Sequence, residues 1–306
     1  MQYVKTVLGE IPENEIGVTL AHEHVCCYFE PFYQMLGKGY LDKEELTNKA
    51  IEHLLYMKET YQLSTFVDCT PVNIGRDLQV LKEVSQKAGV HIVCSGGFYY
   101  TEEVMIRSTP KEYIIEALLQ DLKKNNAGVI KFAVEDAEMS ALSRKLLSAS
   151  CQVQKITGLP LVIHTNGRNQ NGKKVLDLVL EEGVQAGAVT LGHLSDSSDM
   201  DYVAGLLKQG CYGAFDRIYN VADRAYYEQK AKDLAVLWER GFGDRILLSH
   251  DGLTFNGFAV EPCVVEYNPY EPIFERLLPE MRKAGFLETE IQQMFTKNVI
   301  NMLLCR

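Results

Sequence analysis

The sequence predicts an α/β fold, a single (β/α)8 barrel over residues 1–306, with its reactive side chains at the C-terminal ends of the strands. Three observations predict it. Apolar runs of strand length alternate with segments of helical spacing along the whole chain. The length, 306 residues, suits one closed barrel. Histidine and aspartate recur where those apolar runs end. A doubly wound open sheet is the alternative use of the same alternation.

The strands come first. Runs at 16–22, 64–70, 90–96, 128–134, 159–165, 187–193, 210–216 and 245–251 are short and rich in Val, Ile and Leu, as parallel strands buried on both faces are. Helices fit between and after them. Residues 41–61 carry Leu46, Ile51, Leu54, Leu55 and Tyr56 close to a helical stripe. Before the next helix, Thr109 is placed to cap, Pro110 suits the first turn and Glu112 completes a capping box. Asp199 caps a helix that Gly210 stops. Further helices fit 76–88, 140–157, 171–182, 224–240, 272–284 and 288–303. No linker or low-complexity run divides the chain, and the longest stretch without an element, 252–271, is expected as a loop over the active-site face.

Composition bounds the function. Apolar residues make up 46% and charged residues 24%, so a large buried core is expected and disorder is not. A net charge of -10 argues against nonspecific nucleic-acid binding, yet leaves room for an anionic substrate at a local cationic site. No apolar run is long enough for a membrane span, and the first residues lack a secretory core. The eight cysteines form no C-x-x-C pair and read as reduced thiols of a cytoplasmic protein, with adjacent Cys26 and Cys27 read as packing residues in preference to metal ligands.

The chemistry lies at the strand ends. His22 and His24 form H-E-H; residues two apart on a strand share a face, so both imidazoles enter the mouth while Glu23 turns away. His164, His193 and Asp251 end three further strands. Imidazole and carboxylate suit zinc, manganese, iron or cobalt in a hydrolase. The bland reading, a separate local hydrogen bond for each histidine, fits poorly when four of seven histidines end strands in one layer. His53 reads as a helix packing or surface residue and His91 lies at the opposite end of the barrel. His250 faces away from the site and serves at most as support.

The segments TVLGEIPENEIGVTLAHEH, VDCTPVNIGRD, GVIKF, VIHTN, TLGHLSD and LLSHD, in that order, resemble the phosphotriesterase family of the amidohydrolase superfamily, including its lactonase branch. The resemblance runs from about Thr6 to about Leu303. It implies a TIM barrel with two divalent transition-metal ions, zinc first among the choices. His22 and His24 match ligands of the more buried ion, His164 and His193 those of the more exposed one. Asp251 matches the last-strand carboxylate, which is both ligand and proton acceptor. Lys131 matches a lysine that carries carbon dioxide as a carbamate bridging both ions. On its strand Lys131 shares parity with Val129 and Ala133, an inward set. Burial favours the neutral form of an amine, the form that takes up carbon dioxide. The plain alternative is a lysine paired with a carboxylate. Two ions bring about four positive charges; a carbamate, Asp251 and a bridging hydroxide cancel three, leaving charge to polarise a carbonyl or phosphoryl oxygen.

The implied reaction is hydrolysis of an ester-like bond in a small molecule. Tyr99 and Arg217 stand where the lactonase branch has an aromatic and an arginine, which favours a lactone over a phosphotriester. Arg217 with Arg168 or Lys173 would admit a phosphorylated sugar lactone, and an acyl-homoserine lactone is the neutral option. The tract Gly167–Lys174 nearly matches a phosphate-binding P-loop, but Lys174 replaces the hydroxyl residue that holds magnesium. No G-x-S-x-G elbow supports a serine hydrolase. A metal-bearing barrel that binds without turnover is the reading from another class, and Asp251 argues against it. A homodimer is expected by analogy alone.

Overall fold

The computed structural model describes residues 2–100 and 104–306. A hairpin of β1 (Tyr3–Thr6) and β2 (Gly9–Pro12) precedes the barrel. The eight barrel strands are β3 (Val18–Cys27), β4 (Leu63–Asp68), β5 (His91–Gly97), β6 (Val129–Ala133), β7 (Leu161–His164), β8 (Val189–Gly192), β9 (Tyr212–Phe215) and β10 (Ile246–Leu248). They pair parallel in sequence order from β3 to β10, and each falls within or overlaps the run expected for it. After β10 come β11 (Leu253–Asn256), parallel to β3, and β12 (Cys263–Val264), antiparallel to β11.

Alternation along each strand builds two cores. Ile130, Phe132, Leu161, Ile163 and Leu191 point outward and pack under the helices. Val67, Cys69, Val93, Val129, Val162, Tyr212 and Leu247 fill the interior, and Val4 and Ile11 of the hairpin close its lower end. Burial on both faces explains why the strands read as near-continuous apolar runs. Ala21 and His22 are sequence neighbours that both reach the interior. The β3–β4 register shifts between Leu20 and Glu23, and a bulge of this kind redirects a side chain.

The outer layer comprises α1 (Glu30–Leu36), α2 (Lys43–Tyr61), α3 (Leu78–Ala88), α4 (Val104–Arg107), α5 (Lys111–Lys124), α6 (Ala141–Thr157), α7 (Gly172–Glu181), α8 (Met200–Leu207), α9 (Arg224–Glu239), α10 (Leu278–Lys283), α11 (Glu288–Phe295) and α12 (Lys297–Leu303). Asp199 caps α8 as expected, accepting from the amides of Asp201 and Tyr202. The capping box at α5 does not form. The helix starts one residue later than its pattern suggested, so Pro110 takes the cap position and Thr109 and Glu112 each fall one place out. Stretch 252–271 is also more ordered than expected, because β11 continues the sheet beside the extended C-terminal half of β3. The segment 272–284 opens with a π-helical turn, Ile273–Leu277, and 288–303 divides into α11 and α12 at Thr296.

The barrel closes between β3 and the break from β10 to β11. Asp251 N donates to His22 O (3.2 Å) and His24 N to Gly252 O (2.9 Å), while His22 N donates to Ser249 Oγ (2.8 Å). These bonds set the histidines of β3 against Asp251.

Candidate metal centre

Each of the four strand-end imidazoles is held at its far nitrogen and presents the other inward. His22 Nδ1 bonds Asp216 Oδ2, and His193 Nδ1 bonds Asp216 Oδ1 at 3.0 Å. His24 Nδ1 meets Thr70 Oγ1 at 2.8 Å, and that hydroxyl donates onward to Cys26 O. His164 Nε2 donates to Glu135 Oε2 at 2.7 Å. An imidazole that donates from one nitrogen offers a lone pair at the other, and carboxylates in this outer position orient metal-binding histidines.

The inward nitrogens converge. His24 Nε2 lies 3.0 Å and His22 Nε2 3.7 Å from Asp251 Oδ1. Donors around one tetrahedral zinc stand roughly 3.4 Å apart, from bonds of about 2.1 Å, so Asp251 Oδ1 stands at ligand spacing from each of the two histidines. His193 Nε2 and His164 Nδ1 face each other at 2.7 Å. With both outer protons committed to carboxylates, these are two lone pairs aimed at one point, an arrangement a cation relieves. His22, His193 and Asp251 supply ligand atoms within 4.8 Å of one another. Lys131 is fully buried at 1% exposure, with Nζ 2.6 Å from His22 Nε2, and no carboxylate pairs with it among the described residues. The donor set therefore fits divalent-metal binding.

Electrostatics favour the same state. Burial, reinforced by Lys131, lowers His22 to about 3, against the pull of Asp216. Burial, then the charges of His193 and Lys131, takes His164 well below its ordinary value. Neutral imidazoles are the form that ligates. Burial alone would raise Asp251, but the surrounding imidazoles hold it well below the usual carboxylate range. His193 and Asp251 are non-glycine residues with φ of 65° and 55°. Left-handed backbone costs such residues roughly 1–2 kcal/mol each, and here it turns both chains at the strand end so that the side chains enter the cluster.

The expected substrate residues divide. Tyr99 stacks edge-on to His164 (5.4 Å between ring centroids), steadied by Asn73, whose Oδ1 accepts from Tyr99 N at 2.8 Å. Arg217 does reach the site but is committed there: Nε donates to Asp251 Oδ2 (3.2 Å) and a terminal nitrogen to Asp196 (2.9 Å). Lys173 pairs with Asp177 on the exposed face of α7, and Arg168 is exposed. The structure brings neither into the donor cluster. A cavity of about 200 Å³ adjoins Asp251, lined by Tyr219, Asn220, Leu253, Asn256, Val265 and Tyr267.

Four residues were missed from sequence. Thr70 and Glu135 orient histidines from loops, where nothing local marks them. Glu23 turns away from the mouth, as parity requires, but into a network rather than into solvent. Asp216 was legible: it ends an apolar strand in the same layer as His164 and His193.

Such a barrel, with imidazoles and a carboxylate meeting at its strand ends, defines a metal-dependent hydrolase. The pattern of the Phosphotriesterase family matches residues 2–303, and the chain belongs to that family. It is 27% identical to "Aryldialkylphosphatase" of Saccharolobus solfataricus, covering 94% of this chain and 95% of the relative. It is 26% identical to "Phosphotriesterase homology protein" of Mycobacterium tuberculosis, with 97% and 96% covered. Human "N-acetyltaurine hydrolase" is 25% identical over 96% of both chains. Among the described residues, no helix is long and apolar enough to cross a membrane.

Proposed function

We propose that the chain hydrolyses a neutral lactone. The observation that carries this reading is the pairing of Tyr99 against His164 with Arg217 locked onto Asp251, beside a cavity walled by aromatic, amide and aliphatic groups together with His250 and Asp251. With Arg217 and Lys173 committed to carboxylates, the case for a phosphorylated sugar lactone weakens and an acyl-homoserine or other uncharged lactone is favoured.

In this reading His22, His24 and Asp251 would hold one divalent ion and His164 and His193 the other, with Lys131, as a carbamate, supplying a further anionic ligand. Two zinc ions bound there would supply Lewis acidity and an activated water. Asp251 takes the proton that the attacking water releases; Arg217 holds Oδ2, which keeps Oδ1 turned toward His24 and the cluster. Tyr99 walls the mouth on the His164 side. We also place the protein in the cytoplasm, a reading supported by its eight unpaired cysteines, and pair it as a homodimer by analogy.

The test is a substrate panel on the zinc-loaded protein: acyl-homoserine lactones, simple aliphatic lactones, a sugar-phosphate lactone, paraoxon and N-acetyltaurine. Lactones are expected to lead in kcat/KM by at least about tenfold, roughly 1.4 kcal/mol of transition-state stabilisation. A faster triester or amide would overturn the reading in favour of the chemistry in the relatives' names.

A further inference from the structure

Glu23 sits between the two histidines of β3 and is wholly buried. Its carboxylate enters the seam where β3 meets the break between β10 and β11. Oε1 accepts from Ser249 Oγ (2.9 Å), His250 N (2.8 Å) and His250 Nδ1 (2.8 Å); Oε2 accepts from Gly252 N (2.8 Å). Two of those donors are the backbone amides on either side of Asp251. His250 Nε2 accepts from Ile273 N at 3.1 Å, so the imidazole proton resides on Nδ1 and points at Glu23. The fit leaves no slack, since a Cβ at Gly252 would lie 3.1 Å from Glu23 Oε2 and 3.0 Å from Pro269 O.

We propose that Glu23 is a positioning residue that sets the orientation of Asp251; the inference rests on the roles given to Asp251 above. A continuous strand from β10 to β11 would present its amides to a neighbouring ladder and leave residue 251 extended. Here the amides of His250 and Gly252 turn to one carboxylate instead. That grip sustains the left-handed turn at Asp251 and aims its side chain at His22 and His24. Four donors on a buried carboxylate make these charge-assisted bonds. The same residue thus spaces two histidines along β3 and fixes the carboxylate they meet.

Glu23→Gln keeps the shape but replaces one acceptor by an amide that opposes its donors. With the fastest lactone of the panel, kcat is expected to fall about 10–100-fold, the range for losing an outer partner of a metal ligand. KM should stay within about twofold, because uniform substrate binding is untouched. Zinc affinity, measured by competition with a chromophoric chelator, should fall about tenfold or more. Adding Glu23→Gln to Asp251→Asn should lower kcat no further, since residues acting through one group are not additive. Multiplicative losses in the double variant, or wild-type kcat and zinc affinity in Glu23→Gln, would overturn the inference. If near-UV circular dichroism shows Glu23→Gln unfolded, Ser249→Ala removes one donor instead. It should give a smaller kcat loss with unchanged KM; wild-type kcat overturns the inference. Full activity in Asp251→Asn would sink the proton-acceptor assignment instead, and the zinc affinity of Glu23→Gln then decides the positioning role alone.

Discussion

Replacing Asp216 by asparagine tests whether the outer carboxylates make the cluster a metal centre. Asp216 is fully buried and takes the Nδ1 protons of His22 and His193 together with the backbone amide of His193. An asparagine has one acceptor oxygen. Left on the His193 side, where two donors need it, it turns its NH2 toward His22 Nδ1, donor against donor. His22 must then move its proton to Nε2 or tilt away, and either change withdraws one lone pair from the group formed with His24 and Asp251. Loss of an outer partner costs about 10–100-fold in affinity, or roughly 1.4–2.7 kcal/mol. Because His193 keeps both of its bonds, the loss should fall on one ion. Asp216→Asn equilibrated against a zinc buffer that saturates the wild type with about two ions should retain one tightly and the other poorly. Elemental analysis after gel filtration reads the stoichiometry, and competition titration reads each affinity. Two ions held as in the wild type would refute the reasoning.

Lys131→Ala should lose both zinc and activity. Small carboxylic acids at high concentration should partly restore activity, and Lys131→Glu should retain more zinc than the alanine variant. No rescue, with glutamate no better than alanine, would leave Lys131 a plain structural lysine. The metal-stripped protein should lose stability in acid. His22 has its value lowered to about 3 from 6.5, and His164 moves in the same direction. Between those values the unfolded chain binds protons that the folded chain refuses, so stability rises with pH across the window and falls as pH drops below 6.5. A melting temperature that is flat from neutral pH to pH 4 would contradict the burial of neutral imidazoles.

What local pattern determines was legible. The eight barrel strands are buried on both faces and announce themselves as apolar runs, and the Asp199 cap is a matter of three neighbouring residues. What depends on contacts across the chain was not. Glu23 was correctly turned from the mouth by parity, but its partners at 249–252 lie 226 to 229 residues away. β11 is short and its pairing with β3 is equally distant, so the tract containing it reads as a loop. Lys173 followed a charge pattern that its neighbour Asp177 satisfies on the helix surface. Asp216 is legible by the same rule that selects His164 and His193, since it too ends an apolar strand.

The seam between β3 and the β10–β11 break carries a kinetic consequence. Its bonds join the two ends of the barrel sequence, His22 with Ser249 being 227 residues apart. Loop-closure entropy places such contacts late in folding. Every species still open along this seam lacks the proposed ligand trio, because His22 and His24 stand on one lip and Asp251 on the other. Divalent ions bound there would therefore select the closed barrel from an otherwise folded ensemble and disfavour its reopening by mass action. Amide exchange at His24 and Asp251, whose protons cross the seam, would report that opening directly.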